Sequence, residues 1–205
     1  LTPAQRRAKA DAMDAMHEKG VKAFPAKTAK WGNRPFAPRL EKGVKVITIP
    51  EQRWRRVDIK SLNLLAPVLG KQKAVENGAF EAWQVDEQDH VTEGTSSNAW
   101  IVTPDKTLVT HPPSAAILNG VTRLRLLEIA RAEGYAFEER PFTVKEALQA
   151  AEAFVSSTTS YMVPVVKIDD TPVGDGRPGP LSKALREHYS AFASLKPQPQ
   201  QVSSV

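Results

Sequence analysis

Four short segments of β-type sequence, separated by polar turns, follow one another between residues 79 and 111. They read AFEAWQVD, HVTEG, NAWIVT and TLVTH, with turns at residues 86–89 and around Pro104 and Asp105. β-branched and aromatic residues favour strands, and short polar connections between strands favour hairpins. The stretch predicts successive antiparallel hairpins, which restricts the chain to folds built around a β-sheet.

Helical patterns surround these strands, so we predict a mixed α+β domain over residues 41–193. A strand, VKVITIP, ends at Pro50. Apolar residues at helical spacing with terminal glycines predict helices in LLAPVLGKQKAVENG and in residues 122–134. We further expect a strand in EERPFT, a helix through VKEALQAAEAFVSS, a strand in SYMVPVVKID and a last helix in LSKALREHYSAF.

The two ends of the sequence differ from this domain. Residues 2–20 have Thr2 as a possible N-cap and Gly20 as a stop, which predicts a helix, and residues 21–39 contain three prolines and predict an irregular connection. We therefore assign residues 1–40 to an N-terminal helix and linker. The Pro- and Gln-rich tail, residues 194–205, is expected to be disordered.

Composition excludes several classes of function. The 28 basic residues are interspersed with 23 acidic ones, so nothing indicates a nucleic-acid partner. The absence of cysteine excludes disulfides, a thiolate nucleophile and a cysteine-ligated zinc. The four histidines, His17, His90, His111 and His188, are scattered, and we predict no metal site. Without an apolar run long enough for a bilayer or a signal peptide, we expect a cytoplasmic protein with no membrane association.

Lys60 stands in RVDIKSLNLL, where strand alternation would point its side chain inward. Lysine is rarely buried without a partner, so one interpretation is a pair with Asp58 or a solvated position. The other is a desolvated amine that reacts with an aldehyde. Just upstream, Arg53, Arg55 and Arg56 could attract an anionic substrate, although a solvated basic strand edge is the plainer interpretation.

Three further stretches carry polar groups in patterns that suit a ligand. In VTEGTSSNAWIV the carboxylate of Glu93 precedes a glycine, three hydroxyl residues and Asn98, which also suits a plain hairpin tip. LNGVTR, residues 118–123, opens a helix whose free N–H groups could bind an anion such as phosphate. SSTTS, residues 156–160, could contact phosphate oxygens or only cap a helix.

As an ordered set, DIKSLNLL, EGTSSN, ILNGVTR and STTSYMVPV resemble the class IV (fold type IV) aminotransferases, which use pyridoxal phosphate. Among these, the chain is most similar to the D-amino-acid aminotransferases, from about residue 40 to about residue 192. The resemblance implies the large cofactor-binding domain of that fold. It also implies transfer of an amino group between an amino acid and a 2-oxo acid, in a homodimer.

The resemblance also implies a role for each candidate site residue. Lys60 would form the Schiff base with the cofactor aldehyde and move the proton between substrate and cofactor. Glu93 would face the pyridine nitrogen and keep it protonated. The remaining cofactor-binding residues would be Val121, Thr122, Ser157, Thr158 and Thr159 around the phosphate, and Leu118, Ser97 and Asn98 around the ring.

The N-terminal part departs from the family pattern. Family members carry a smaller domain ahead of the lysine motif, which contributes to cofactor and substrate binding, and residues 1–39 are too few to form it. We therefore expect one wall of the site to be absent or to come from another chain. The alternatives are a branched-chain aminotransferase, an aminodeoxychorismate lyase, or a truncated homologue that binds the cofactor without turnover.

Overall fold

A single β-sheet with helices packed against it forms the part of the chain that the computed structural model describes, residues 37–194. Its strands are β1 (Val44–Pro50), β2 (Glu81–Val85), β3 (Val91–Gly94), β4 (Asn98–Val102), β5 (Leu108–Thr110), β6 (Phe137–Glu139), β7 (Glu152–Ser157), β8 (Tyr161–Ile168) and β9 (Thr171–Pro172). Its helices are α1 (Ala37–Lys42), α2 (Leu65–Glu76), α3 (Val121–Ala132), α4 (Val144–Leu148) and α5 (Pro180–Ser194).

The strands lie in the order β3-β2-β1-β8-β7-β4-β5-β6, and β9 pairs with β8. The hairpins β2–β3 and β4–β5 are antiparallel, as predicted, and so are the pairs β4–β7 and β7–β8. Three pairs are parallel: β1 with β2, β1 with β8, and β5 with β6. The predicted α+β class is confirmed. The parallel pairing was not predicted, because no local pattern in the sequence indicates which distant strands lie side by side.

Alternation along the central strands divides the core between the two faces of the sheet. On one face Trp100 stacks on Phe154, its partner in the β4–β7 register, with ring centroids 5.4 Å apart. These rings belong to a buried cluster that includes Leu126 of α3 and Leu185 of α5. The neighbouring residue Ile101 points the other way, into a second cluster built from most of the strands. The two faces of the sheet therefore have separate cores, one packed against α3 and α5 and the other against α1 and α4.

The helix predicted through residues 144–157 is wrong in its second half. Helix α4 ends at Leu148, and Glu152–Ser157 form strand β7. This strand lies between β4 and β8, and five of its six residues are buried. Tertiary pairing of a β-branched and aromatic segment outweighs the helix propensity of the alanines before it.

Smaller differences concern the boundaries of elements. Helix α1 begins at Ala37, inside the predicted irregular connection, and the strand predicted in EERPFT is limited to Phe137–Glu139. The predicted helix over residues 2–20 and nearly all of the tail lie outside the described residues. The domain boundaries proposed from the sequence stay predictions. Among residues 37–194, no helix has the length and apolar character needed for a membrane span.

Candidate active site

A cavity of about 370 Å³ lies where the ends of β1, β3 and β7 meet the start of β4. Its walls come from four places: the loop after β1, the turn between β3 and β4, the segment that leads into α3, and the turn after β7. These are the four stretches that the sequence analysis selected. Of the predicted site residues, all except Thr159 line the cavity.

Lys60 lies on the loop after β1, where its side chain is exposed and lines the cavity. The inward orientation expected from strand alternation is wrong, because residues 51–64 form no strand. Asp58, the expected partner, instead pairs with Arg56 at 2.9 Å. No hydrogen bond or ion pair of Lys60 is observed within residues 37–194, so its amine is available to a molecule in the cavity.

Glu93, on β3, is 5% exposed and is held by three donors. Its Oε1 accepts hydrogen bonds from the guanidinium of Arg53 and from the backbone N–H of Leu118, the latter at 3.1 Å. Its Oε2 accepts one, from the amide of Asn98 at 2.9 Å. Because a carboxylate oxygen has two lone-pair sites, Oε2 can accept one more donor.

Burial raises the pKa of Glu93 to about 7, against the opposing effects of the Arg53 charge and the Leu118 hydrogen bond. The carboxyl group is therefore poised to gain or lose a proton near neutral pH. A cationic or N–H-bearing ligand group beside it would favour the ionised form. This combination of strong burial and defined partners is typical of functional carboxylates.

Arg53 is a site residue that the sequence analysis assigned wrongly. Its side chain is 5% exposed, and its Nη2 donates to Thr92 and to the carbonyl of Ala116, each at 3.1 Å. Its Nε donates to Glu51 at 2.9 Å. A solvated basic edge was expected, whereas only Arg55 and Arg56 of the triplet are exposed. The acidic residue two positions earlier, Glu51, was the available signal in the sequence.

Asn98, the first residue of β4, connects two walls of the cavity. Its amide nitrogen donates to Glu93 and to the carbonyl of Leu118, the latter at 2.8 Å. A Cβ atom at Gly120 would lie 2.5 Å from its Oδ1, so the glycine permits this close approach. Asn98 thereby fixes the segment before α3 against the buried carboxylate.

The N-terminus of α3 faces the cavity through Gly120, Val121 and Thr122. The first N–H groups of a helix have no carbonyl partner within it, and no side chain caps this end of α3. The Thr122 hydroxyl lies 3.5 Å from the Tyr189 hydroxyl and is buried. Free N–H groups, a hydroxyl and the positive end of the helix dipole together favour an anion here.

The hydroxyl cluster after β7 is brought to the cavity only in part. Ser157 and Thr158 line it. The Oγ of Ser157 lies 2.7 Å from that of Ser160 and 3.3 Å from the Oγ1 of Thr159. Thr159 thus contacts the cluster from outside the cavity. Within residues 37–194, no group of three or more His, Cys, Asp or Glu side chains is arranged to hold a metal ion.

Comparison with known proteins identifies the family of the chain. The family model described as "Amino-transferase class IV" matches residues 13–168. The chain belongs to the class IV aminotransferase family. The family prediction is therefore confirmed. The match begins at residue 13, whereas the resemblance seen in the sequence begins at about residue 40.

Relatives of this class IV aminotransferase chain include two curated bacterial enzymes. It is 47% identical over 146 residues to the D-alanine aminotransferase of Bacillus licheniformis, covering 71% of this chain and 51% of that protein. It is 44% identical over 160 residues to the D-alanine aminotransferase of Staphylococcus aureus (strain COL), covering 78% of this chain and 56% of that protein. The chain spans about half the length of the curated relatives it matches.

A solved structure of the family confirms the predicted fold. The branched-chain amino acid aminotransferase of Thermobaculum terrenum, in its PLP-bound form, superimposes with a TM-score of 0.67 at 28% identity. The alignment covers 75% of this chain and 52% of the other. The cavity described above suits pyridoxal phosphate, the cofactor predicted for this family. It offers an available amine on Lys60, a buried carboxylate with one unused acceptor position on Glu93, and an uncapped helix N-terminus for a phosphate.

Proposed function

We propose that this chain is the cofactor-binding part of a pyridoxal-phosphate-dependent transaminase that moves an amino group between a D-amino acid and a 2-oxo acid. The observation that carries this proposal is the meeting of Lys60, Glu93 and the N-terminus of α3 in one cavity. Transamination needs an amine, a carboxylate for the ring nitrogen and an anchor for the phosphate. The relatives named D-alanine aminotransferases support D-alanine as the amino donor.

Pyridoxal phosphate, when bound, supplies an aldehyde and an electron-withdrawing ring that stabilises negative charge at the substrate α-carbon. In the proposed mechanism the amine of Lys60 would hold the cofactor, and the free amine would serve as the base for the proton of the substrate α-carbon. The desolvated environment expected for such an amine is not observed, because Lys60 is exposed. Its place on the cavity wall and its lack of a partner within residues 37–194 support both roles. Other groups in the cavity would hold the ring and the phosphate.

Glu93 would accept a hydrogen bond from the ring nitrogen at Oε2, the oxygen that has a free acceptor position. Arg53 and Leu118 donate to Oε1, and Asn98 donates to Oε2, so the carboxylate cannot turn away. A fixed negative charge keeps the proton on the ring nitrogen. Because burial raises the pKa of Glu93 in the free chain, its ionised form is favoured by a cation beside it, which a protonated ring nitrogen would supply.

The phosphate would lie at the N-terminus of α3, against the N–H groups of Val121 and Thr122 and the hydroxyls of Thr122, Ser157 and Thr158. These residues line the same cavity as Lys60. Thr159 would act only through Ser157, whose hydroxyl it contacts at 3.3 Å. Leu118 and Ser97 also line the cavity and would contact the ring.

A homodimer is supported by an exposed apolar face beside the cavity. It comprises Leu62, Leu64, Leu65, Val68, Leu69 and Val75, and Leu62 is 93% exposed. Contiguous apolar surface of this kind is typical of an interaction surface. Leu64 also lines the cavity, so a second copy seated on this face would reach the mouth of the site. The cytoplasmic location stays a prediction, which cell fractionation would test.

The proposal is tested by an absorbance spectrum of the purified chain with pyridoxal phosphate, before and after borohydride reduction. A visible band that reduction fixes to the peptide containing Lys60, and that Lys60→Ala abolishes, is expected. Lys183→Ala, an exposed lysine on α5, is the matched control and should keep the band. Labelling spread over other lysines would contradict the assignment.

Substrate class is tested separately, because a solved branched-chain aminotransferase at 28% identity favours that activity as a second candidate. Transfer from D-alanine to 2-oxoglutarate is expected, and transfer from L-leucine alone would favour the branched-chain class. Pyruvate release from aminodeoxychorismate would indicate the lyase. A stable cofactor band without any turnover would indicate a binding protein.

A further inference from the structure

Glu81 is a second buried carboxylate close to the cavity, and none of the roles described so far uses it. It begins β2, it is 1% exposed, and its side chain reaches the turn between β3 and β4. Its Oε2 accepts hydrogen bonds from the hydroxyls of Ser96 at 3.0 Å and Ser97 at 3.1 Å. The ammonium of Lys71 lies 3.6 Å from the same oxygen.

The other oxygen of Glu81, Oε1, holds the start of the same turn. It accepts from the hydroxyl of Thr95 and from the backbone N–H groups of Thr95 at 3.3 Å and Ala82 at 2.9 Å. All three hydroxyls of the turn therefore donate their hydrogens to one carboxylate. A buried carboxylate with this many donors is a strong local restraint.

Gly94 makes this arrangement sterically possible. A Cβ atom at this position would collide with the Ser97 hydroxyl and would lie 3.0 Å from Cγ of Glu81. The N–H of Gly94 donates to the carbonyl of Ser97 at 2.7 Å and closes the turn. The segment 94–97 is thus packed around the Glu81 side chain.

The polarity of the turn follows from counting hydrogens. Each hydroxyl has one hydrogen and two lone-pair sites, and here each hydrogen is donated to Glu81. Thr95, Ser96 and Ser97 line the cavity, and their hydroxyls can present only acceptor positions to it. The N-terminus of α3 presents N–H donors to the same cavity. The two walls therefore have opposite hydrogen-bonding character.

We propose that Glu81 is a positioning residue that fixes Thr95, Ser96 and Ser97 as an accepting wall of the cavity, to which the ligand presents its N–H or O–H groups. These hydroxyls offer no donor to a phosphate, since lone pairs of anion and hydroxyl would oppose each other. The identity of the ligand rests on the proposed function, whereas the polarity of the wall follows from the hydrogen bonds to Glu81 alone.

The substitution Glu81→Gln separates polarity from shape. An amide has one accepting oxygen and one donating NH₂ group. With the oxygen toward the backbone N–H groups of Ala82 and Thr95, the NH₂ group meets Ser96 and Ser97 and forces both hydroxyls to accept. Their hydrogens then point into the cavity. The variant keeps the turn and reverses the polarity of the Ser96 and Ser97 hydroxyls, whereas Glu81→Ala removes the restraint altogether.

The experiment combines hydrogen exchange of the free chain with calorimetric titration of pyridoxamine phosphate, which carries an ammonium group, and of inorganic phosphate. We expect Glu81→Ala to accelerate exchange of the Gly94 amide, which closes the turn on the carbonyl of Ser97, at least tenfold and Glu81→Gln to leave it within threefold. Glu81→Gln should raise the Kd of pyridoxamine phosphate at least tenfold and change that of inorganic phosphate less than twofold.

Glu152→Gln is the matched control, because Glu152 is also buried but accepts from the N–H groups of Leu181 and Ser182 at the start of α5, outside the cavity. It should lower the melting temperature and leave both Kd values unchanged. Unchanged exchange of the Gly94 amide in Glu81→Ala, or an unchanged Kd of pyridoxamine phosphate in Glu81→Gln, overturns the inference. If the unsubstituted chain binds no pyridoxamine phosphate, the proposed function is contradicted and hydrogen exchange alone decides the role of Glu81.

Discussion

Arg53 and Glu93 form an ion pair in which both side chains are almost entirely removed from water, 5% and 6% exposed. The pair joins the loop that carries Lys60 to strand β3. Removing one member of a buried pair leaves the other charge without compensation, which costs far more than the pair itself contributes.

Arg53→Met is therefore expected to lower the free energy of unfolding by about 3–5 kcal/mol. It should also weaken pyridoxal phosphate binding, because the carboxylate of Glu93 loses a donor. Urea denaturation and absorbance titration measure the two effects. Arg56→Met is the control: its pair with Asp58 is exposed and should contribute little. Equal losses in both variants would contradict the role of Arg53.

The raised pKa of Glu93 predicts a pH dependence of stability in the cofactor-free chain. Folded Glu93 keeps its proton up to about pH 7, whereas the ordinary value is 4.5. Between these values the folded state binds more protons than the unfolded state, so stability falls as pH rises through about 7. The full effect of such a shift is on the order of 3 kcal/mol.

Denaturation of the unsubstituted chain and of Glu93→Gln at pH 5 and pH 7.5 measures this contribution. The measured quantity is the difference in free energy of unfolding between the two proteins, which cancels the contribution of His111. Burial lowers the pKa of His111, so its contribution makes stability rise with pH over an overlapping pH range. The stability of Glu93→Gln relative to the unsubstituted chain should increase with pH. A pH-independent difference would show that Glu93 titrates normally.

Gly120→Ala should weaken cofactor binding through Asn98. The added Cβ would lie 2.5 Å from Asn98 Oδ1, so the amide must move, and its hydrogen bonds to Glu93 and Leu118 must lengthen. Overpacking of this kind costs about 1–3 kcal/mol of stability. We expect a Kd for pyridoxal phosphate at least tenfold higher, measured by absorbance titration. Unaltered affinity would mean that Asn98 does not fix the segment before α3.

The exposed apolar face predicts the assembly state. Leu65→Lys combined with Leu69→Lys places two charges on that face of α2 without touching the core, because both side chains are exposed. Sedimentation should change from dimer to monomer while the circular dichroism spectrum is kept. Glu187→Lys, at an exposed position on α5, should remain a dimer. A monomeric unsubstituted chain would contradict the homodimer proposal.

Local patterns predicted much of the fold and less of the site's chemistry. The hairpins β2–β3 and β4–β5 and the helix α3 follow from turn residues and periodicity, which act over a few residues. Strand β7 was missed because its conformation depends on β4 and β8 at its sides. Arg53 and Glu81 were missed for the same reason: their burial is produced by partners 40 and 14 residues away, at Glu93 and Thr95.

The position of β1 between β2 and β8 bears on how the chain acquires its site during synthesis. Residues 44–50 leave the ribosome before their partners in β8, residues 161–168, which follow more than a hundred residues later. Non-local pairing of this kind slows folding. During synthesis the strand that precedes the Lys60 loop therefore lacks one of its two neighbours. The unpaired edge of β1 needs protection from aggregation until β8 has been synthesised.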